Sequence, residues 1–266
     1  GGSPPATSEG TSLIDLSQAE ISITKEGKVI DYYSFEDVNL TNCDDVKVTV
    51  PGNDTISADS YVIKKEKIGD TIKITVNFVE GKSKGTASKK FDIVSENFDN
   101  NNYFISSSAD ATKATSDLDS RVFTGAKIEP TVYLYKRSTD GGKVKNELVS
   151  SSKYTVDYDN NRDAGKAQIN VTGKGTARGS VGNTFEITPA NFSDVTITAP
   201  DTKDKTVGNY KVTAKLNGNI LEMGDDKDYT LSFKDSEGAS FSGTSFSKGS
   251  YSVIVTPTKK NFTGNS

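Results

Sequence analysis

Four side chains with oxygen donors alternate along one segment of the chain. They are Asp157, Asp159, Asn161 and Asp163. Alternating carboxylate and amide oxygens are the ligands that the first positions of a calcium loop supply. An EF-hand-type loop also needs a glycine beside this run and a bidentate glutamate five residues later, where the chain has Arg162 and Gln168. The segment is therefore interpreted either as a calcium site or as a solvated hairpin turn.

Two tyrosines form the second candidate site. In an alternating strand, Tyr133 and Tyr135 lie on the face opposite Val132 and Leu134. Two outward aromatic rings could form a stacking platform for a sugar ring. The alternative is that both rings pack beneath a loop expected over 136–147, or against a neighbouring domain, with their hydroxyls in water. The chain has no Trp, which is the most common stacking residue in carbohydrate-binding modules.

The residue counts exclude most catalytic machinery. The chain has no His, which removes Ser-His-Asp triads, Cys-His dyads and His-ligated metals. Its one cysteine, Cys43, allows neither a Cys cluster for a metal nor an intrachain disulfide. Asp and Glu are abundant, but nothing in their spacing picks out a catalytic pair. We therefore predict no catalytic residue, no enzyme activity and no cofactor other than the calcium considered above.

Charge and hydropathy limit the partners of the chain. The 32 Lys and Arg against 36 Asp and Glu give a net charge of −4 over 266 residues. This balance provides no basic footprint for a nucleic acid. No apolar run approaches the roughly 20 residues that a transmembrane helix needs. The sequence therefore predicts neither nucleic-acid binding nor membrane insertion.

Apolar residues alternate with polar ones through most of the chain. Clear examples are Val46-Lys47-Val48-Thr49-Val50, Ile72-Lys73-Ile74-Thr75-Val76 and Tyr251-Ser252-Val253-Ile254-Val255. This period of two indicates half-buried strands, and clusters of Gly, Asn, Asp and Ser separate them as turns require. Short, evenly spaced strands are typical of β-sandwiches. The predicted fold class is all-β.

Internal repeats predict the domain organisation. Residues 184–189 close a middle unit, and 90–94 close a divergent first unit in the same way. A third unit follows, but no third Phe-x-Ile strand is present in it, so this domain is either truncated or completed by a strand from elsewhere. The predicted organisation is a flexible linker over 1–12, followed by domains over 13–98, 99–193 and 194–266. We refer to the last two ranges as the middle repeat and the third repeat.

The middle repeat carries the most specific motifs. They are Phe123-Thr124-Gly125, the segment 154–161, the segment 164–167, Gly173-Lys174-Gly175 and Phe185-Glu186-Ile187. In these motifs the repeat resembles the bacterial immunoglobulin-like repeats of Gram-positive, especially clostridial, cell-surface proteins. Ala177 stands where that family often has Tyr. The resemblance is close over 123–189, partial over 194–266 and weak over 13–98.

The resemblance implies three tandem immunoglobulin-like antiparallel β-sandwiches in an elongated rod. It also implies a secreted, extracellular location on the bacterial cell surface. In that family most such repeats are spacers between an anchor and a binding or catalytic module, so the expected partners are other modules of the same surface protein. Some related modules bind polysaccharides in adhesins and in polysaccharide-degrading complexes. A polysaccharide or a host glycan is therefore the alternative partner, with the tyrosines above as its site.

Overall fold

A computed structural model describes Gly2 and residues 12–264. The predicted linker over 1–12 lies, apart from Gly2 and Ser12, outside the described residues. In the described part the chain forms β-strands and short 3-10 turns without α-helices, which confirms the all-β prediction. The strands belong to two compact units, one formed by 1–98 with 173–179 and the other by 99–172 with 180–266.

The first unit is built from two main sheets. Its strands are β1 (Ile14–Asp15), β2 (Glu20–Lys25), β3 (Lys28–Ile30), β4 (Tyr32–Ser34), β5 (Val46–Thr49), β6 (Tyr61–Ile68), β7 (Thr71–Phe78), β8 (Ser83–Lys84), β9 (Thr86–Val94) and β10 (Glu96–Phe98), with 3-10 turns at Leu16–Gln18, Phe35–Asp37 and Ala58–Ser60. One sheet has the order β4-β9-β7-β6 and the other β3-β2-β5. The alternating residues of β7, Ile72, Ile74 and Val76, are fully buried in the core, as the period of two predicts.

The second unit contains the remaining strands. They are β11 (Tyr103–Ser106), β12 (Arg121–Val122), β13 (Tyr133–Asp140), β14 (Lys143–Leu148), β15 (Tyr154–Asp159), β16 (Gly165–Gly173), β17 (Ala177–Thr188), β18 (Ala190–Asn191), β19 (Thr196–Thr198), β20 (Thr213–Leu216), β21 (Asn219–Ile220), β22 (Tyr229–Lys234), β23 (Ser240–Phe241), β24 (Ser252–Pro257) and β25 (Phe262–Thr263), with 3-10 turns at Ser151–Lys153, Phe192–Asp194 and Val207–Asn209. The tip of the β16–β17 hairpin, 173–179, belongs to the first unit.

The middle and third repeats share one strand pairing. In the middle repeat β15 pairs with β16, which also pairs with β17, and in the third repeat β22 pairs with β24 and, on its other side, with β23. Apart from 173–179, both repeats fall within the second unit, and their division at 193 and the three-domain organisation remain predictions.

The long loop expected over 136–147 is not present. Strands β13 and β14 pair in antiparallel register from Tyr135 opposite Leu148 to Asp140 opposite Lys143. Gly141 and Gly142 form the turn with φ angles of +58° and +82°. Two positive φ angles suit the tight turn whose twist matches that of its flanking strands. The segment is therefore a β-hairpin, and the prediction of a loop was wrong.

Among the described residues, no helix is long and apolar enough to span a membrane.

Candidate functional site

The two candidate sugar-stacking rings do not share an exposed face. Tyr135 is fully buried, stacks on Phe104 with ring centroids 5.5 Å apart, and donates a hydrogen bond of 2.7 Å from its hydroxyl to the carbonyl oxygen of Ser108. Tyr133, two residues earlier on the same face of β13, is half-buried. The expectation of two outward rings was therefore wrong, because the chain around Ser108 covers the second face of this strand.

The four candidate calcium ligands differ in their surroundings. Asp157 and Asp159 are exposed along β15, whereas Asn161 is buried and donates from its amide nitrogen to the carbonyl oxygen of Ile128 at 3.0 Å. Across the described residues, no three His, Cys, Asp or Glu side chains come together in a way that could hold a metal ion. The expected ligand set is therefore not assembled in this structure.

Asp163 instead lies among cationic and amide donors. Its carboxylate contacts Arg162 at 2.8 Å and Lys260 at 3.1 Å, and it accepts a hydrogen bond of 3.1 Å from the side-chain amide of Asn261. Partial burial alone would raise the pKa of this carboxyl, but hydrogen bonds from Lys260, Asn261 and Arg162 outweigh burial and lower it. Asp163 is therefore ionised and already neutralised by protein side chains.

The same contacts lead to a buried polar pair from the third repeat. Asp228 and Asn261 are both fully buried. Asp228 receives two hydrogen bonds from the guanidinium of Arg162, at 2.6 and 3.2 Å, one of 2.8 Å from Asn261 and one of 2.7 Å from the backbone N–H of Glu222. Bidentate guanidinium–carboxylate pairing of this kind is among the strongest side-chain hydrogen bonding in proteins. Every oxygen of the buried carboxylate thus has a partner.

Arg162 joins this pair to the first motif of the middle repeat. Its Nε donates to the carbonyl oxygen of Gly125 at 3.2 Å, and its guanidinium carbon lies 5.4 Å from the ring centroid of Phe123. Hydrogen bonding to Asp228 is the main reason that the pKa of Arg162 is raised. One side chain therefore connects the 123–125 motif, the 154–163 strand and turn, and the third repeat.

An apolar contact lies beside the polar one. Phe262 of β25 packs edge-to-face against Phe123 and Phe192, with centroid distances of 5.4 and 5.2 Å, and all three rings are buried. Edge-to-face aromatic pairs stabilise beyond the area that they bury. Phe123, Arg162, Asp228, Asn261 and Phe262 together form what we call the repeat junction.

Backbone contacts extend the repeat junction on two sides. Asn219 donates from its side-chain amide to the carbonyl oxygen of Thr124 at 2.8 Å. An added Cβ at Gly125 would lie 3.0 Å from a methyl group of Leu221, and Gly125 has φ +86°. The Phe-Thr-Gly motif therefore makes a close contact that a larger residue at its third position would disturb.

The side chains of the repeat junction bind one another and hold the middle repeat to the third. Two cations, Arg162 and Lys260, face two carboxylates, Asp163 and Asp228, so the cluster is electrically balanced. Neither buried carboxylate oxygen of Asp228 is left to act as a base or to bind a metal, because each already accepts hydrogen bonds. Sequence reasoning could not bring Asp228 and Asn261 together with Arg162 and Asp163, since these partners lie up to 98 positions apart in the chain.

The first unit holds a second polar cluster that the sequence did not reveal. Lys65 is buried and donates to Asp45 at 2.7 Å and to the backbone carbonyls of Asn39 and Asn42 at 3.2 and 2.7 Å. Tyr33 donates from its hydroxyl to the other oxygen of Asp45 at 2.6 Å. Burial, and then the hydrogen bond to Asp45, strongly raise the pKa of Tyr33. These contacts use all three N–H donors of Lys65 and fix the segment before β5.

Comparison with known protein families, with curated proteins and with solved structures finds no match.

Proposed function

We propose that this chain is a non-enzymatic, extracellular module of a bacterial surface protein that acts as a spacer or stalk and serves adhesion by holding other modules away from the cell. The observation that carries the proposal is the repeat junction. There, Arg162 of the middle repeat pairs with the fully buried Asp228 of the third repeat. Phe123 of the Phe-Thr-Gly motif and Arg162, which stands between two motifs, join the middle repeat to the third, as a spacer requires.

The repeat junction combines two features that resist bending. The ion pair and its hydrogen bonds are directional, so they fix one geometry. The aromatic contact of Phe262 with Phe123 and Phe192 excludes water beside them. A hinge would instead be expected to have a small, polar and hydrated contact between repeats.

The arrangement as three tandem immunoglobulin-like sandwiches in an elongated rod belongs to the same proposal. Its support is the repetition of strand motifs in the sequence and the resemblance of 123–189 to bacterial surface repeats. Small-angle X-ray scattering tests it. A rod gives a maximum dimension close to the summed length of three sandwiches, and a compact particle of the same mass would contradict it.

Binding to a polysaccharide or host glycan is the competing class of function. The buried position of Tyr135 removes the paired platform on which that hypothesis rested, so only Tyr133 of the original site is accessible. A pull-down on insoluble starch, cellulose and mucin separates the two classes. A spacer is retained on none of the three. Retention that Tyr133→Ala abolishes would replace the spacer proposal with glycan binding at this strand.

A further inference from the structure

Strand β14 has a free edge in the middle of the chain, with described segments before and after it. Its sheet has the order β11-β13-β14, and no described strand pairs with the far edge of β14. Strand β11 pairs with β13 only from Ser106 opposite Tyr133 to Tyr103 opposite Lys136. Beyond Lys136 the β13–β14 hairpin is therefore a two-stranded ribbon. Such a ribbon is marginally stable by itself, and a further strand along its edge would stabilise it.

The backbone groups of β14 alternate between β13 and the free edge. Val149, which directly follows β14, donates its N–H to the carbonyl oxygen of Leu134 on the β13 side at 2.9 Å. In an antiparallel pair, the residues that bond to one neighbour recur at every second position. The N–H and C=O groups of Val144, Asn146 and Leu148 therefore point to the free edge. Another strand could bond to them without a change in the β13–β14 hairpin.

The side chains of β14 are exposed on both faces of the ribbon. Val144 and Leu148, on one face, are 75% and 53% exposed, and no large apolar side chain in the described part of the chain is more exposed than Val144. Lys145 and Glu147, on the other face, are also exposed, and only Asn146 is partly buried. A free edge with exposed apolar side chains is a template for pairing with another chain.

The sequence of β14 is complementary to itself in one antiparallel register. When Asn146 lies opposite Asn146 of a second copy, Val144 lies opposite Leu148 and Lys145 lies opposite Glu147. Each of the last two pairs then occurs twice, because a two-fold axis passes beside Asn146. Apolar pairs and opposite charges directly across a sheet stabilise it. A register centred on Lys145 or on Glu147 would instead place like charges directly opposite, which is destabilising.

We propose that the free edge of β14 binds β14 of a second copy of this chain, antiparallel and centred on Asn146. Backbone hydrogen bonds join the two strands, the Val144–Leu148 pairs cover the exposed apolar side chains, and the Lys145–Glu147 ion pairs fix the register. The two-fold contact uses the same edge of both copies, so assembly by this edge stops at a dimer. A pair of six-residue strands buries less area than a standard interface, so the dissociation constant should be on the order of 100 µM.

Reversal of the two charges tests this register on the intact chain. Sedimentation equilibrium should show reversible dimerisation of the parent chain. Lys145→Glu alone and Glu147→Lys alone should each weaken dimerisation about tenfold or more, because each places like charges directly opposite twice. An equimolar mixture of the two variants should associate about as strongly as the parent chain, since opposite charges then face each other again. Because mixing cannot rescue a misfolded chain, the mixture also controls for folding.

The matched control for net charge is Lys47→Glu. Lys47 is an exposed lysine of β5 that lies opposite Ser22, as Lys145 lies opposite Ser138. This variant changes the net charge by the same amount as Lys145→Glu and should dimerise as the parent chain does. NMR spectra recorded on dilution locate the contact. The amide signals of β14 should shift with protein concentration, whereas those of β5 should not.

Four results would overturn the proposal. The first is a parent chain that stays monomeric at about 1 mM, well above the expected dissociation constant. The second is dimerisation without concentration-dependent shifts in β14. The third is a mixture of the two reversed variants that associates no better than either variant alone. The fourth is equal weakening by Lys47→Glu, because net charge, and not the paired strands, would then govern association.

Discussion

Asp228 is the residue on which the repeat junction depends most. It is fully buried, and all of its partners, Arg162, Asn261 and the N–H of Glu222, donate to one carboxylate. A buried pair of this kind adds little net stability relative to an apolar replacement, but removal of one member leaves the other charge without compensation. Substitution of Asp228 should therefore cause a large loss of stability that is confined to the second unit.

We expect Asp228→Ala to lower the free energy of unfolding by about 3–5 kcal/mol, because Arg162 and Asn261 lose a buried acceptor. Urea denaturation followed by circular dichroism measures the change. The matched control is Asp226→Ala, since Asp226 is exposed and its hydrogen bond to Lys260 uses only the backbone carbonyl. The control should change stability by less than about 0.5 kcal/mol. Equal changes in the free energy of unfolding for the two variants would show that the carboxylate of Asp228 does not stabilise the fold.

Asp163 should make the second unit sensitive to acid. Its pKa in the folded chain lies below the unfolded value of 3.8, because Lys260, Asn261 and Arg162 stabilise the ionised form against the effect of burial. A depressed pKa contributes stability that is present above the unfolded pKa and is lost as the pH falls through the folded pKa. Asp163→Asn should therefore reduce the loss of melting temperature between pH 5 and pH 2, measured by calorimetry.

The control for acid sensitivity is Asp157→Asn, which changes an exposed carboxylate on the neighbouring strand. It should leave the pH profile of the melting temperature close to that of the parent chain. If Asp163→Asn also leaves the profile unchanged, the contacts with Lys260 and Arg162 are too weak in solution to shift the pKa of Asp163.

The burial of some residues could be predicted from the sequence, and that of others could not. Alternation placed Ile72 and Ile74 in the core correctly, because a strand with one buried face imposes a period of two. It placed Tyr135 outside wrongly, since the second face of β13 is covered by a distant loop that contributes the carbonyl of Ser108. Lys65 occupies an inward position of β6, opposite the buried Ile74. Its acceptor Asp45 lies 20 residues earlier, and no local pattern reveals such a pairing.

Among the elements, the start of β17 depends on one glycine. Gly179 has φ +83°, and a Cβ added there would overlap the carbonyl oxygen of Phe98. Gly175, in the preceding turn, also has a positive φ, of +63°, but nothing lies within 4 Å of an added Cβ. Substitution of Gly175 therefore measures the cost of backbone strain alone, whereas substitution of Gly179 measures backbone strain together with steric overlap.

We expect Gly179→Ala to destabilise the chain by about 1–3 kcal/mol more than Gly175→Ala, because only the first substitution forces β10 and β17 apart. Urea denaturation of both variants measures the difference. Equal costs would mean that the parallel pairing of Glu96–Phe98 with Ala177–Gly179 contributes little to stability.

The strands themselves were more predictable than their connections. The period of two and the Gly, Asn and Asp clusters located most strands, and Asn160 takes the positive φ of +51° that its turn position favours. The β13–β14 hairpin was missed, although Gly141-Gly142 between two runs is a signal for a tight turn. The repeat junction could not be predicted, because Arg162, Asp228 and Asn261 meet only through tertiary packing.

At the scale of the whole molecule, we propose that the middle and third repeats move as one rigid body. The polar network around Asp228 and the aromatic contact of Phe262 with Phe123 and Phe192 hold them together. A spacer transmits orientation from one end to the other only if such contacts between successive segments persist in solution. Loss of Asp228 should leave each repeat folded in part but free to reorient.

Residual dipolar couplings of backbone amides show whether the two repeats share one orientation in solution. Amides of β15 and β16 report on the middle repeat, and those of β20, β22 and β24 report on the third. We expect a single alignment tensor to fit both sets in the parent chain, and two tensors of different magnitude to be needed for Asp228→Ala. Two different tensors in the parent chain would overturn the rigid coupling of the two repeats, because the repeats would then move independently despite the repeat junction.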